Sequence, residues 1–273
     1  MRFKYSVSDT ISQDDKNLLS ELIEHVVIIR FSVDLNRSEF KAKLNSLLSE
    51  DRLEKRFDLF NKFCFPSLKA QTYKDFKVIV LVDNDLPKKW KENLLSIISE
   101  EENFIFHIWK KDDELENNNW FMSYINTKKP FLCTTRIDDD DMIHANANVL
   151  FKKALIESKM WKRFKCNYNL STGIYTHIEK DNSIYPIKCT NKELAVFMSM
   201  ITPMDFSKNV YSYCHDTLSE YNDLKKCYIL CNDANLFAVS NHDWGNDNRK
   251  QRFAKHKKES VSLEEIYTDF FIN

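Results

Sequence analysis

Arg136-Ile137-Asp138-Asp139-Asp140-Asp141 is the segment whose residue types and spacing point most directly to chemistry. Four consecutive carboxylates repel one another, and burying them with no cation nearby is very costly. They follow Phe131-Leu132-Cys133-Thr134-Thr135, which reads as a buried strand. In an open α/β sheet, the carboxyl end of a strand is where ligands bind. If the chain stays extended there, alternate residues point the same way and Asp138 and Asp140 converge on one ion. Oxygen-only ligands suit Mg²⁺ or Mn²⁺ and leave coordination positions for water and diphosphate oxygens. The competing reading is a solvated acidic loop, or the acidic start of the next helix favoured by its dipole.

Three further residues join this edge. Arg30 ends an earlier apolar run, His25–Phe31, and can pair with a phosphate through charge-assisted hydrogen bonds. Asp83 ends the run Phe76–Val82 and can accept a hydrogen bond from a nucleobase or ribose; a turn or helix-capping role is the alternative. His242 follows the short apolar strand Leu236–Ser240, where a neutral imidazole can complete a metal shell or simply make a structural hydrogen bond. His215-Asp216 is a weaker candidate of the same kind.

The elements that position these residues alternate. Strands are expected at His25–Phe31, Phe76–Val82, Phe104–Trp109 and Phe131–Arg136, with helical periodicity between them through Leu44–Cys64 and Trp90–Ile98. A helix is expected around Trp120–Tyr124 and another at Ala145–Lys159. The alternation implies an α/β fold: a mainly parallel central sheet with helices on both faces. Beyond residue 165 the pattern is less regular, with short strands at Ser171–His177, Cys227–Cys231 and Leu236–Ser240 and a helix near Lys192–Met200.

Composition limits the functional classes. The chain has 273 residues, 43% apolar, with a net charge of −1, so a uniformly basic nucleic-acid-binding surface is not expected. Its only two glycines, Gly173 and Gly245, exclude a glycine-rich phosphate loop, so a nucleotide must be held another way, and a metal ion is the obvious substitute. The first residues carry no apolar core of signal-peptide length, and no apolar run approaches a membrane span. The seven cysteines lack C-x-x-C pairs, which reads as reduced thiols in a cytoplasmic protein. Residues 1–24 read as an N-terminal extension and 248–273 as a tail that is basic and then amphipathic. That tail either packs back on the domain or lies peripherally on an anionic membrane face.

Taken in order, Ile29-Arg30-Phe31-Ser32-Val33, Arg56-Phe57-Asp58-Leu59-Phe60, Phe65-Pro66-Ser67-Leu68-Lys69-Ala70-Gln71-Thr72 and Thr134–Asp141 resemble the putative rhamnosyltransferase family of GT-A-like glycosyltransferases. The resemblance is good over 25–145 and loose beyond, where His242-Asp243-Trp244-Gly245-Asn246 stands in place of the family's His-Gly-x-Asn. It implies one GT-A-like catalytic domain over 25–247, with 25–145 binding the nucleotide sugar and 146–247 facing the acceptor. It further implies transfer of a sugar, rhamnose or another hexose, from a nucleotide-diphosphate donor to a glycan or glycolipid acceptor, with inversion. Asp138, Asp140, Asp141 and His242 would hold Mn²⁺ or Mg²⁺, and Arg30 and Arg136 would assist at the leaving diphosphate. Asp205 and Asp243 are the candidate bases for the acceptor hydroxyl. The rival readings are a nucleotide-sugar-binding protein without catalysis and a two-metal nucleotidyl- or phosphodiester-transfer enzyme.

Overall fold

Ile23–Phe31 (β2), Lys77–Asp83 (β3) and Phe131–Asp138 (β5) are rich in β-branched and aromatic residues and almost wholly buried, as strands covered on both faces must be. The computed structural model describes residues 1–33, 47–110, 113–162, 165–178, 184–189, 194–214, 218–242 and 270, without the side chains of 175, 177, 178, 184–189, 219, 241 and 242. With Arg2–Tyr5 (β1), Phe104–Trp109 (β4), Cys166–Leu170 (β7), Met198–Pro203 (β10) and Lys225–Cys231 (β11), these strands form one sheet in the order β1-β11-β7-β10-β5-β2-β3-β4. The half that carries the candidate site, β5-β2-β3-β4, is parallel. β10 enters antiparallel between β5 and β7. A smaller sheet runs Met142–Ile143 (β6), Phe237–His242 (β12), Gly173–Ile178 (β8), Ile184–Cys189 (β9).

The described helices are Gln13–Leu22 (α1), Glu50–Leu59 (α2), Phe65–Lys69 (α3), Lys88–Ile98 (α4) and Ala147–Ser158 (α5), with a π-helical turn at Phe60–Cys64 joining α2 to α3. Ser12 caps α1 by accepting the Asp15 N–H at 3.1 Å, and Asp14 and Asp15 complement the helix dipole. One sheet face sends Val27, Ile29, Val78, Val80 and Ile137 into the main core against Trp90, Leu94 and Leu150. The other sends Val26, Ile28, Ile79, Leu81 and Leu132 into a second cluster with Trp109, Trp120 and Phe121, against which Met204 and Tyr211 pack. Among the described residues, this second face is covered by irregular chain rather than by a long helix.

Three expectations change. The 1–24 extension is part of the fold: β1 pairs in parallel with β11, Arg2 facing Tyr228, and α1 leads directly into β2. Where a helix was expected near Lys192–Met200, the chain forms β10, five of whose six residues are buried; a strand covered on both faces shows no period to separate it from a buried helix. Around Trp120–Tyr124 only a 3₁₀ turn, Met122–Tyr124, forms. No described helix is long and apolar enough to cross a membrane. Of the tail 248–273 only Phe270 is described, and it is buried with Leu59, Phe63, Met142, Ile174 and Ala238.

Candidate functional site

β2 and β5 run side by side with Arg30 facing Asp138 and Ile28 facing Arg136. Residues directly opposite in a parallel pair, or two apart on one strand, share a face. Arg30, Arg136 and Asp138 therefore project together at the carboxyl edge of the sheet. Nη2 of Arg30 lies 3.4 Å from Oδ1 of Asp138, and Nη2 of Arg136 lies 3.8 Å from the same oxygen. Both guanidinium carbons sit 5.0 Å from the centroid of the Tyr211 ring, within cation–π range. The Nε–H of each arginine is buried with no acceptor among the described residues. Burial raises the Tyr211 hydroxyl above its ordinary pKa, so the ring stays neutral beside the two cations.

Beyond Asp138 the chain reverses. The Asp141 N–H donates to the Asp138 carbonyl at 3.2 Å, so the acidic run is a turn and not the extended segment expected. Side-chain alternation fails there, and the carboxylates part company. Asp138 keeps 37% of its side chain exposed on the open face. Asp139 and Asp140 turn instead to Arg56 on α2. Nε of Arg56 donates to Oδ2 of Asp139 at 3.1 Å, Nη1 donates to Oδ2 of Asp140 at 2.6 Å, and Nη2 contacts Oδ1 of Asp139. Only 13% of the Arg56 side chain is exposed. Asp141 is reached from the second sheet: the Ser240 N–H donates to its Oδ1 at 3.0 Å, while the Ser240 hydroxyl donates to the Asp140 carbonyl. Burial, then the charges of Asp140 and Asp138, push the Asp141 carboxyl well above the usual carboxylate range.

One turn before Arg56, Arg52 donates to the Ser32 hydroxyl at 3.1 Å and to the Leu47 carbonyl at 2.8 Å. Ser32 leaves β2 with a φ of 54°, a left-handed conformation that side chains seldom adopt. Burial and the neighbouring Arg56 charge lower the Arg52 pKa to about 10. Cys64 lies beneath the cluster; burial and then Asp141, Asp140 and Asp138 raise its pKa well above the ordinary thiol value, so it is an unreactive core thiol.

The fit of a divalent cation can be judged on this geometry. Among the described residues no three His, Cys, Asp or Glu side chains converge to hold a metal ion. The donor chemistry does suit one: Asp138 and Asp140 offer hard oxygen ligands. Charge suits one in part: burial is the main reason the Asp141 carboxyl is raised, but Asp140 and Asp138 add to it, and a dication would relieve that repulsion. A dication taking Asp140 must share that carboxylate with Arg56.

The remaining candidates separate. Asp83 ends β3 on the same face as Arg30, buried, with its Oδ1 accepting the Asp85 N–H at 2.9 Å; it shapes the turn into α4. The backbone of His242 closes β12, paired with Ile178 and two residues beyond Ser240, while its side chain lies outside the described set. Asp243, His215 and Asp216 also lie outside the described residues. Asp205 is a correction. β10 runs antiparallel to β5 with Pro203 facing Phe131 and Met198 facing Arg136, so Asp205 follows the end of β10 farthest from the site. Seven residue steps along β5 separate the two ends, roughly 23 Å at strand rise, too far for proton transfer at the carboxylates.

Arg56, Tyr211 and Ser240 were not among the residues expected from sequence. Arg56 does stand in the Arg56–Phe60 segment that carries the resemblance, and a second signal is electrostatic: two arginines one helical turn apart, Arg52 and Arg56. Tyr211 stands in a loosely matching segment, Val210–His215, which by itself gives it no role; it lies 75 residues beyond Arg136 in a 3₁₀ turn, Val210–Ser212.

No curated protein sequence matches the chain. Among solved structures, it is similar to the Staphylococcus aureus TarS 1–349 fragment in complex with UDP-GlcNAc, at 10% identity and a TM-score of 0.43, over 90% of this chain and 64% of that one. It therefore spans less than two thirds of that fragment. It is also similar to a nucleotide-diphospho-sugar transferase from Desulfovibrio desulfuricans G20, at 10% identity and a TM-score of 0.31, over 77% and 81% of the two chains. A third is the inositol-1-phosphate CTP transferase of T. maritima, at 10% identity and a TM-score of 0.34, over 88% and 98%. In sequence, the model of the putative rhamnosyl transferase family matches residues 24–252, from the first residues of β2 to beyond β12, and the chain belongs to that family.

Proposed function

We propose that this chain is a glycosyltransferase that moves a sugar, rhamnose or another hexose, from a nucleotide-diphosphate donor to a glycan or glycolipid acceptor, with inversion. The observation that carries the reading is the pair Arg30 and Arg136. Their guanidiniums stand together at the carboxyl edge of a parallel sheet, and their buried Nε–H groups have no acceptor among the described residues. Family membership supports the same reaction class.

In the reaction, the acceptor oxygen bonds to the anomeric carbon as the bond from that carbon to the phosphate oxygen breaks. The electron pair leaves on the diphosphate and the acceptor proton passes to a base. Arg30 and Arg136 donate to the diphosphate as its charge grows, which is where preorganised donors lower a barrier most. Asp138, fixed between them, stands where it can accept from a donor hydroxyl. Arg56 holds Asp139 and Asp140 in the turn, and Ser240 ties that turn to the second sheet. Mn²⁺ or Mg²⁺ held by Asp138 and Asp140, with Asp141 and His242 as further ligands, would supply additional charge neutralisation at the diphosphate when bound. Asp243 is the base that the reading retains.

The test is a thermal-shift screen of UDP, GDP, dTDP and ADP, each with and without Mn²⁺, on wild type and Asp140→Ala. A ligand that binds only the native state raises apparent stability by mass action. One nucleotide stabilising wild type with metal, and the variant much less, supports donor class and acidic turn together. No shift with any nucleotide removes the reading.

A further inference from the structure

Two arginines side by side repel each other, and each loses rotamer freedom when held. Arg30 and Arg136 are nevertheless held, by the Asp138 carboxylate and by the ring of Tyr211, which comes from the other half of the chain. The Tyr211 hydroxyl donates to the Ile28 carbonyl at 3.4 Å, on the β2 residue that faces Arg136. Its backbone is tied as closely. The Tyr211 N–H donates to Oδ1 of Asn209 at 2.9 Å, and the Val210 N–H donates to Oγ1 of Thr134 at 3.0 Å, two residues before Arg136 on β5. Asn209 is fully buried and donates from Nδ2 to the carbonyls of Leu115 at 2.8 Å and Asn117 at 3.1 Å. The Asn209 side chain, the Val210 and Tyr211 N–H groups and the Tyr211 hydroxyl are thus committed, and the ring they fix carries no charge of its own.

Resting on the donor-site reading above, we infer that Tyr211 is a positioning residue that holds the guanidiniums of Arg30 and Arg136 toward the donor's diphosphate, with Asn209 setting its register. The aromatic face attracts both guanidiniums without accepting their N–H groups at its centre, whereas a second carboxylate beside Asp138 would accept them. The inference makes diphosphate affinity depend on an aromatic ring that does not touch the ligand.

The experiment is calorimetric titration of inorganic pyrophosphate, and of UDP, GDP, dTDP and ADP, into wild type, Tyr211→Phe, Tyr211→Met and Asn209→Ala. Circular dichroism confirms that each variant folds. Tyr211→Phe keeps the ring and should bind pyrophosphate within about twofold of wild type, whereas Tyr211→Met should bind about tenfold more weakly. Adding Tyr211→Met to Arg136→Met should cost clearly less than the two separate losses combined, as expected when both act through one contact. If Tyr211→Met does not fold, Asn209→Ala combined with Arg30→Met carries the same non-additivity test. A folded Tyr211→Met with wild-type pyrophosphate affinity, or fully additive losses, overturns the inference. So does a wild type that binds a nucleotide but not pyrophosphate. A wild type that binds none of the five ligands sinks the donor-site reading as well, so the two failures are distinguishable.

Discussion

Arg56→Met tests the electrostatic account of the acidic turn most directly. In the folded chain Arg56 spans two carboxylates, and the exposed fractions of Arg56, Asp139 and Asp140 side chains are 13%, 1% and 10%. Methionine keeps most of the stem and removes the charge together with the N–H donors to Asp139 and Asp140. At a charge separation of ~4 Å and an effective dielectric of ~20, each lost attraction is worth about 4 kcal/mol before the saved desolvation of the guanidinium is subtracted. Removing one partner of a buried pair typically costs about 3–5 kcal/mol, because the surviving charge stays buried. With Asp140 and Asp138 already crowding Asp141, a net loss of about 3 kcal/mol is expected. For a domain of roughly this size that corresponds to a fall in Tm of about 6–12 °C. Melts at pH 7 followed by circular dichroism measure it, and a parallel series with Mn²⁺ asks whether an external cation replaces the lost one. Metal should stabilise Arg56→Met more than wild type. A fall below about 2 °C would falsify the account and make this an ordinary surface pair worth under ~1 kcal/mol.

Three other outcomes follow from particular contacts. His25 is buried beside Thr135, its Nε2 2.8 Å from that hydroxyl, and burial, then Lys152 and Lys129, hold its pKa well below the ordinary value. Folding therefore favours the neutral ring. Its contribution is complete above the unfolded pKa of ~6.5 and is lost as pH falls from there toward the folded pKa, at up to about 1.4 kcal/mol per pH unit. Urea melts between pH 7 and 5 should show this slope, shallower in His25→Gln but not absent, because burial lowers the pKa of His107 as well; an unchanged slope excludes His25 as its source. At Gly173, opposite Phe237 in the β8–β12 pair, a Cβ would collide with the Phe237 carbonyl and ring. Gly173→Ala should cost about 1–3 kcal/mol in a denaturant titration, and a neutral result would mean that the small sheet yields. Asp205→Asn, at the far end of β5, should hydrolyse or transfer donor at the wild-type rate; a large loss in kcat would return Asp205 to the reaction.

The parallel strands of the first half were legible because they are long, apolar and bounded by polar turns, and their order along the chain already implies a doubly covered sheet. The site was legible as a place. Arg30, Asp83, Arg136 and Asp138 lie within the last three residues of their strands, and parallel strands bring such ends to one edge whatever the intervening loops do. What sequence alone could not decide is which carboxylate faces which partner. Alternation along an extended run put Asp138 and Asp140 together, whereas the 3.2 Å hydrogen bond from Asp141 to Asp138 closes a turn and sends them to different arginines. Arg56 and Tyr211 became site residues only through tertiary contact. One arrives from a helix on one side of the sheet edge, the other from a 3₁₀ turn 75 residues beyond Arg136. β10 was hidden for a related reason: its inward and outward faces are both buried, so its residues carry no periodic signature. Residue types determined that negative charge and two arginines would meet at a strand edge; only the packing of distant segments determined how that charge is balanced.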